Sequence, residues 1–95
     1  MDDVNERIPI ANPAVVLREE FDDWAIVFDP DTGQAFGLNP IGVMVWKSLD
    51  GKGSVAAIAR RIREEAEGVP EDVEEHIRTF MEAAVRLGLA GYEVS

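Results

Sequence analysis

Gln34-Ala35-Phe36-Gly37-Leu38-Asn39-Pro40-Ile41-Gly42-Val43-Met44-Val45-Trp46 is where the chain changes from one periodicity to another. In its first five residues Phe36 and Leu38 alternate with Ala35 and Gly37, so a strand here has one large face and one nearly bare face. Asn39 then supplies a helix N-cap and Pro40 suits the first helical turn. Ile41, Val45, Trp46 and Leu49 recur at helical spacing. A strand feeding directly into a capped helix is the expectation for this junction.

Upstream of the junction, Ala14-Val15-Val16-Leu17-Arg18-Glu19 reads as a first strand, Asp22-Asp23 as a turn, and Trp24-Ala25-Ile26-Val27-Phe28 as a second strand rich in aromatic and β-branched residues. Asp29-Pro30-Asp31-Thr32-Gly33 has the proline, Asx and glycine chemistry of a hairpin loop. Residues 1–12 (Asp2, Asp3, Glu6, Arg7, Pro9, Asn12) show little apolar periodicity and are expected to be a flexible lead-in, with the domain occupying residues 13–95. Downstream, Asp50-Gly51-Lys52-Gly53 ends the first helix. Ser54 caps a second, whose stripe is Val55, Ile58, Ala59, Ile62 and Ala66, and Gly68 closes it. A third starts near Pro70, with Glu71 and Asp72 at the positive end of its dipole and Val73, Ile77, Phe80, Ala84 and Leu87 inward. Gly88-Leu89 has the form of a left-handed stop, and Leu89 to Val94 is apolar enough to pair as a wing-like strand. The expected fold is α+β: a three-stranded antiparallel sheet followed by three helices arranged like a winged helix-turn-helix.

Composition limits what such a domain can do. Ninety-five residues with a 46% apolar share make one core, and nine Lys+Arg against nineteen Asp+Glu give a net charge of −10, which repels a nucleic-acid backbone. From Glu71 to Arg86 the would-be recognition helix has five acids (Glu71, Asp72, Glu74, Glu75, Glu82) and two arginines (Arg78, Arg86), so phosphates would be pushed away. There is no cysteine, which removes disulfides, thiolate metal sites and cysteine nucleophiles. His76 is the one histidine, and Ser48, Ser54 and Ser95 have simpler roles as helix surface, cap and terminus, so no nucleophilic triad is expected. Asp29, Asp31 and Gly33 fall short of a calcium loop because its twelfth position is Pro40. No catalytic residue, metal ligand or cofactor is expected. The longest apolar run, Pro40 to Trp46, is far below the roughly 18 residues of a membrane helix. The acidic start, Met1-Asp2-Asp3-Val4-Asn5-Glu6, is unlike a secretory signal. A soluble cytoplasmic protein is the expectation.

The strand Gln34, Ala35, Phe36, Gly37, Leu38 carries none of the charges or prolines that usually guard a sheet edge. As an edge it would pair with an incoming extended peptide, with Ala35 and Gly37 leaving room for the guest's side chains beside the third helix. As an inner strand, or one covered by the N-terminal segment, it would not.

Gly37-Leu38-Asn39-Pro40-Ile41-Gly42, then Val45-Trp46, Leu49-Asp50-Gly51, Ser54-Val55-Ala56-Ala57-Ile58 and Leu87-Gly88-Leu89 together resemble the PqqD family of peptide chaperones, also called RiPP recognition elements. The likeness spans roughly residues 13–91. Arg18 to Trp24 and Phe28 to Gly33 resemble the PqqD-like proteins of SynChlorMet-type cassettes. The resemblance implies a non-catalytic module that binds the leader of a ribosomally made precursor peptide and presents it to a modifying enzyme, typically a radical SAM protein. It also implies that the leader adds as a strand along Gln34, Ala35, Phe36, Gly37 and Leu38. The leader would then lie against Ile77, Phe80, Met81, Ala84 and Val85 of the third helix. One departure is His76, where the family often has an acid before the apolar position. The rival readings are a winged-helix transcriptional regulator and a subunit that only stabilises an enzyme.

Overall fold

A computed structural model describes residues 6–93. Its larger sheet is an antiparallel meander of β2 (Val16–Glu19), β3 (Ala25–Phe28) and β4 (Ala35–Leu38), in the order β2-β3-β4. Its register is Val16↔Phe28↔Ala35 and Arg18↔Ile26↔Gly37 on one face, with Leu17↔Val27↔Phe36 and Glu19↔Ala25↔Leu38 on the other. The second face carries Ala25, Val27 and Leu38 into the core. The hairpin loop closes as its residue types require: the Asp29 carboxylate accepts from the Asp31 N–H at 2.9 Å, and Gly33 takes a φ of 78° while its N–H donates to the Asp29 carbonyl.

Three helices follow: α1 (Pro40–Lys47), α2 (Val55–Glu65) and α3 (Val73–Arg86). The Asn39 side chain caps α1 by accepting from the Gly42 N–H at 2.7 Å. Gly42 sits tightly, since a Cβ there would lie 3.3 Å from Asn39 Oδ1 and 3.4 Å from Leu38 Cβ and would press on both. Ser54 caps α2 through the Ala57 N–H. No side chain caps α3; Glu74 and Glu75 place negative charge in its first turn, at the positive end of its dipole. Its far end is a Schellman motif: the Leu89 N–H donates to the Ala84 carbonyl and the Gly88 N–H to Val85, with Gly88 at φ 75° and Leu89 fully buried. The stripes Val55, Ile58, Ala59, Ile62 and Val73, Ile77, Met81, Ala84 close over Val43, Trp46 and Leu49.

The expectation of a lead-in through residue 12 fails at β1 (Pro9–Ala11), which pairs antiparallel with β5 (Ala90–Tyr92) as a second, two-stranded sheet. Pro9 is fully buried, the Ala11 N–H donates to the Leu49 carbonyl, and the Asn12 N–H donates to the Leu89 carbonyl. Three residues are too few to display a period, and a proline argues against an inner strand, so nothing local marked this element. The C-terminal strand therefore exists, but its partner is the chain's own N-terminal segment. Readings that fell on Met1 to Asn5, Val94 and Ser95 lie outside the described residues.

Candidate binding edge

Among the described residues β4 pairs only with β3, so its other side is an edge. Which main-chain groups face that edge follows from two hydrogen bonds at the hairpin ends. The Asp29 N–H donates to the Gln34 carbonyl, and the Glu20 N–H donates to the Trp24 carbonyl. Bonded and non-bonded pairs alternate along an antiparallel ladder, so Ala25, Val27 and Asp29 direct their amide groups toward β4, meeting Leu38, Phe36 and Gln34. Ala35 and Gly37 are then the non-bonded positions, and the N–H and C=O of each point outward. No charged side chain or proline stands on this strand. The opposite edge, β2, differs in carrying Arg18 and Glu19, with Glu19 paired to Lys47.

Gly37 sits on the outward face, and a Cβ built on it would touch nothing within 4 Å. Packing within the chain does not demand a glycine here. Inward, the Phe36 ring meets Phe80 of α3 with centroids 5.7 Å apart and a 42° tilt. Beyond the C-terminal end of β4 lies a cavity of about 230 Å³ between the starts of α1 and α3, lined by Asn39, Ile41, Gly42, Val45, Pro70, Val73, His76, Ile77 and Phe80. The lining is mostly apolar. His76 stands at the rim, its Nε2 3.2 Å from a carboxylate oxygen of Asp72, with both side chains well exposed.

The residues expected from α3 divide. Phe80 is half-buried beside β4, and Ile77 contributes to the cavity wall although its own exposure is 1%. Met81 and Ala84 are fully buried and offer no surface, because the turns at Val73, Ile77, Met81 and Ala84 form one inward stripe. Val85 is exposed, but on the other flank: five residues from Phe80 is about 140° around a helix. It lines a separate open hollow with Arg7, Glu75, Arg78, Thr79, Glu82 and Tyr92. There the Arg7 guanidinium lies 5.2 Å from the Tyr92 ring centroid. Burial pushes the Tyr92 hydroxyl above its ordinary range, Arg7 opposes the shift and Glu82 adds to it. Ala83 and Leu87 share the Phe80 side of α3 by helical spacing and are half-buried, so Leu87 is less enclosed than a core residue. Asn39, Ile41, Pro70 and His76 were not foreseen in the cavity, because its two walls lie some thirty residues apart in sequence.

Among the described residues no cluster of three His, Cys, Asp or Glu side chains is arranged to hold a metal ion, and no helix is long and apolar enough to cross a membrane.

The family described as Coenzyme PQQ synthesis protein D (PqqD) matches residues 25–90, an interval that contains the edge strand, the cavity walls and all three helices. Among solved structures, TbiB1 in complex with the TbiA(beta) leader peptide is similar, with a TM-score of 0.71 and 26% identity over 90% of this chain and 99% of that one. The heterocyclase TruD has a TM-score of 0.62 at 15% identity, covering 94% of this chain but 12% of its own length. A heterocyclase in complex with substrate and cofactor has a TM-score of 0.64 at 14% identity, over 93% of this chain and 11% of that one. These two likenesses are of fold. No curated protein sequence matches.

Proposed function

The chain belongs to the PqqD family, and on that premise we propose that it is a non-catalytic adaptor that captures the leader of a ribosomally made precursor peptide as an added strand along β4. It then presents the peptide to a modifying enzyme of the radical SAM class. The observation that carries this reading is the unguarded β4 edge, where Ala35 and Gly37 direct both their amide groups outward. Main-chain pairing of that kind supplies affinity without regard to sequence, and a neighbouring pocket supplies selectivity. The cavity between α1 and α3 lies in line with the edge and suits an apolar side chain of the guest. The likeness to TbiB1, whose structure holds a leader peptide, supports the same assignment. We place the activity in the cytoplasm, where such precursors are translated.

The charge distribution weighs against the transcriptional alternative. The face α3 would offer to a DNA groove is acidic, and the net charge of −10 removes the attraction on which backbone contacts rest. The test is direct. A fluorescently labelled leader from a candidate precursor peptide should show a saturable one-to-one rise in anisotropy on titration, and the core half of the same precursor should not. Absence of saturation with the leader, or equal binding of both halves, would overturn the proposal.

A further inference from the structure

The face of the meander turned away from the helices has the wrong composition for a surface that only meets water. Val16, Trp24 and Ile26 are 43%, 53% and 40% exposed, and Phe28 lies in the same row. An antiparallel sheet with one wet face ordinarily places polar residues there. Here the small residues of β3, Ala25 and Val27, are the buried ones and its large residues point outward.

The row continues into a built tip. Asp22 and Asp23 both adopt left-handed backbone, with φ of 58° and 63°, and the Trp24 N–H donates to the Phe21 carbonyl across them. That turn holds Phe21, 79% exposed, and Trp24 on its two sides. Carboxylates flank the pair in sequence, and on the same face Arg18 stands beside Ile26. Glu19 is engaged by Lys47 and Glu20 lies near Arg18, while Asp22 and Asp23 have no cationic partner among the described residues.

We propose that this aromatic, acid-rimmed face is a docking surface for a protein partner that offers an apolar pocket bordered by lysine and arginine, and that the partner is the modifying enzyme. The identity of the partner rests on the function proposed above; the chemistry of the patch does not. Charge complementarity selects this occupant over a second copy of the chain, since stacking two copies would oppose two unpaired pairs of aspartates in molecules of net charge −10. Position agrees. Ala35 and Gly37 belong to this face, so an enzyme seated on it lies beside a segment held at the β4 edge.

The experiment uses the full chain and, as probe, a purified candidate modifying enzyme of the radical SAM class, with leader binding measured separately. Phe21→Ser/Trp24→Ser is expected to weaken enzyme binding by about thirtyfold or more, the scale of losing a buried aromatic anchor, and to leave leader affinity within about twofold. Asp22→Asn/Asp23→Asn, which keeps residues that tolerate the left-handed backbone, should slow association several-fold and flatten its dependence on salt. Enzyme binding unchanged in the first pair, or no enzyme binding by the parent chain, would overturn the proposal. So would self-association of the parent chain that the serine pair abolishes, which would make the occupant a second copy. A chain that binds the enzyme through this face yet never binds the leader would refute the strand-capture reading and leave the docking surface standing.

Discussion

Gly37 separates the folding and binding roles of one residue. Its N–H faces the open edge and not β3, and its φ is not in the left-handed region, so proline can replace it without deleting a rung of the ladder. Phe36 before it is already extended, as a residue preceding proline must be. Gly37→Pro is therefore expected to keep the helical circular dichroism and to lower leader affinity by about tenfold or more, through the lost donor and the bulk of the ring at the edge. Unchanged affinity would locate the peptide elsewhere. Tyr92 gives a second test at this scale. Its hydroxyl is raised above the ordinary value of 10.0, mainly by burial, so the folded chain holds the proton more tightly than the unfolded one. The resulting stabilisation is complete below pH 10 and is lost as pH climbs through the folded value. Urea melts at pH 9 and above pH 10 should show this loss in the parent chain and a smaller one in Tyr92→Phe.

The elements are defined mostly at their ends. The helix starts at Asn39 and Ser54 and the stop at Gly88 are each made by the residue whose chemistry suits them, and that is why helix positions were legible from sequence. Ser54→Ala should cost about 1 kcal/mol of stability, read in chemical denaturation, because the Ala57 N–H loses its acceptor. A change well under half of that would mean the interval before α2 is held by other contacts, such as the Val55 N–H donating to the Arg7 carbonyl. What the sequence hid has physical causes. The β1 strand is too short to carry a period. The β3 segment is apolar at every position from Trp24 to Phe28, so alternation was silent about which face is buried. Met81 falls on the α3 stripe by spacing, yet a flexible thioether fits a core or a peptide surface equally well, and burial alone decides between them.

At the scale of the molecule, one layer of helices covers one face of a three-stranded sheet, leaving two kinds of unsatisfied surface: the main-chain edge of β4 and the apolar outer row of β3. The first was readable as a strand lacking guards, although only pairing in three dimensions establishes that it is an edge. The cavity beside it was not readable, because it forms where residues 39–45 meet residues 70–80. Amide hydrogen exchange at β4 tests the account most directly. In the free chain the Phe36 and Leu38 amides, bonded to β3, should be protected while those of Ala35 and Gly37 exchange freely. Saturation with leader should slow Ala35 and Gly37 by about tenfold or more and leave the other two nearly as they were. Ala35 and Gly37 amides already protected without peptide, or unmoved by saturating leader, would contradict it.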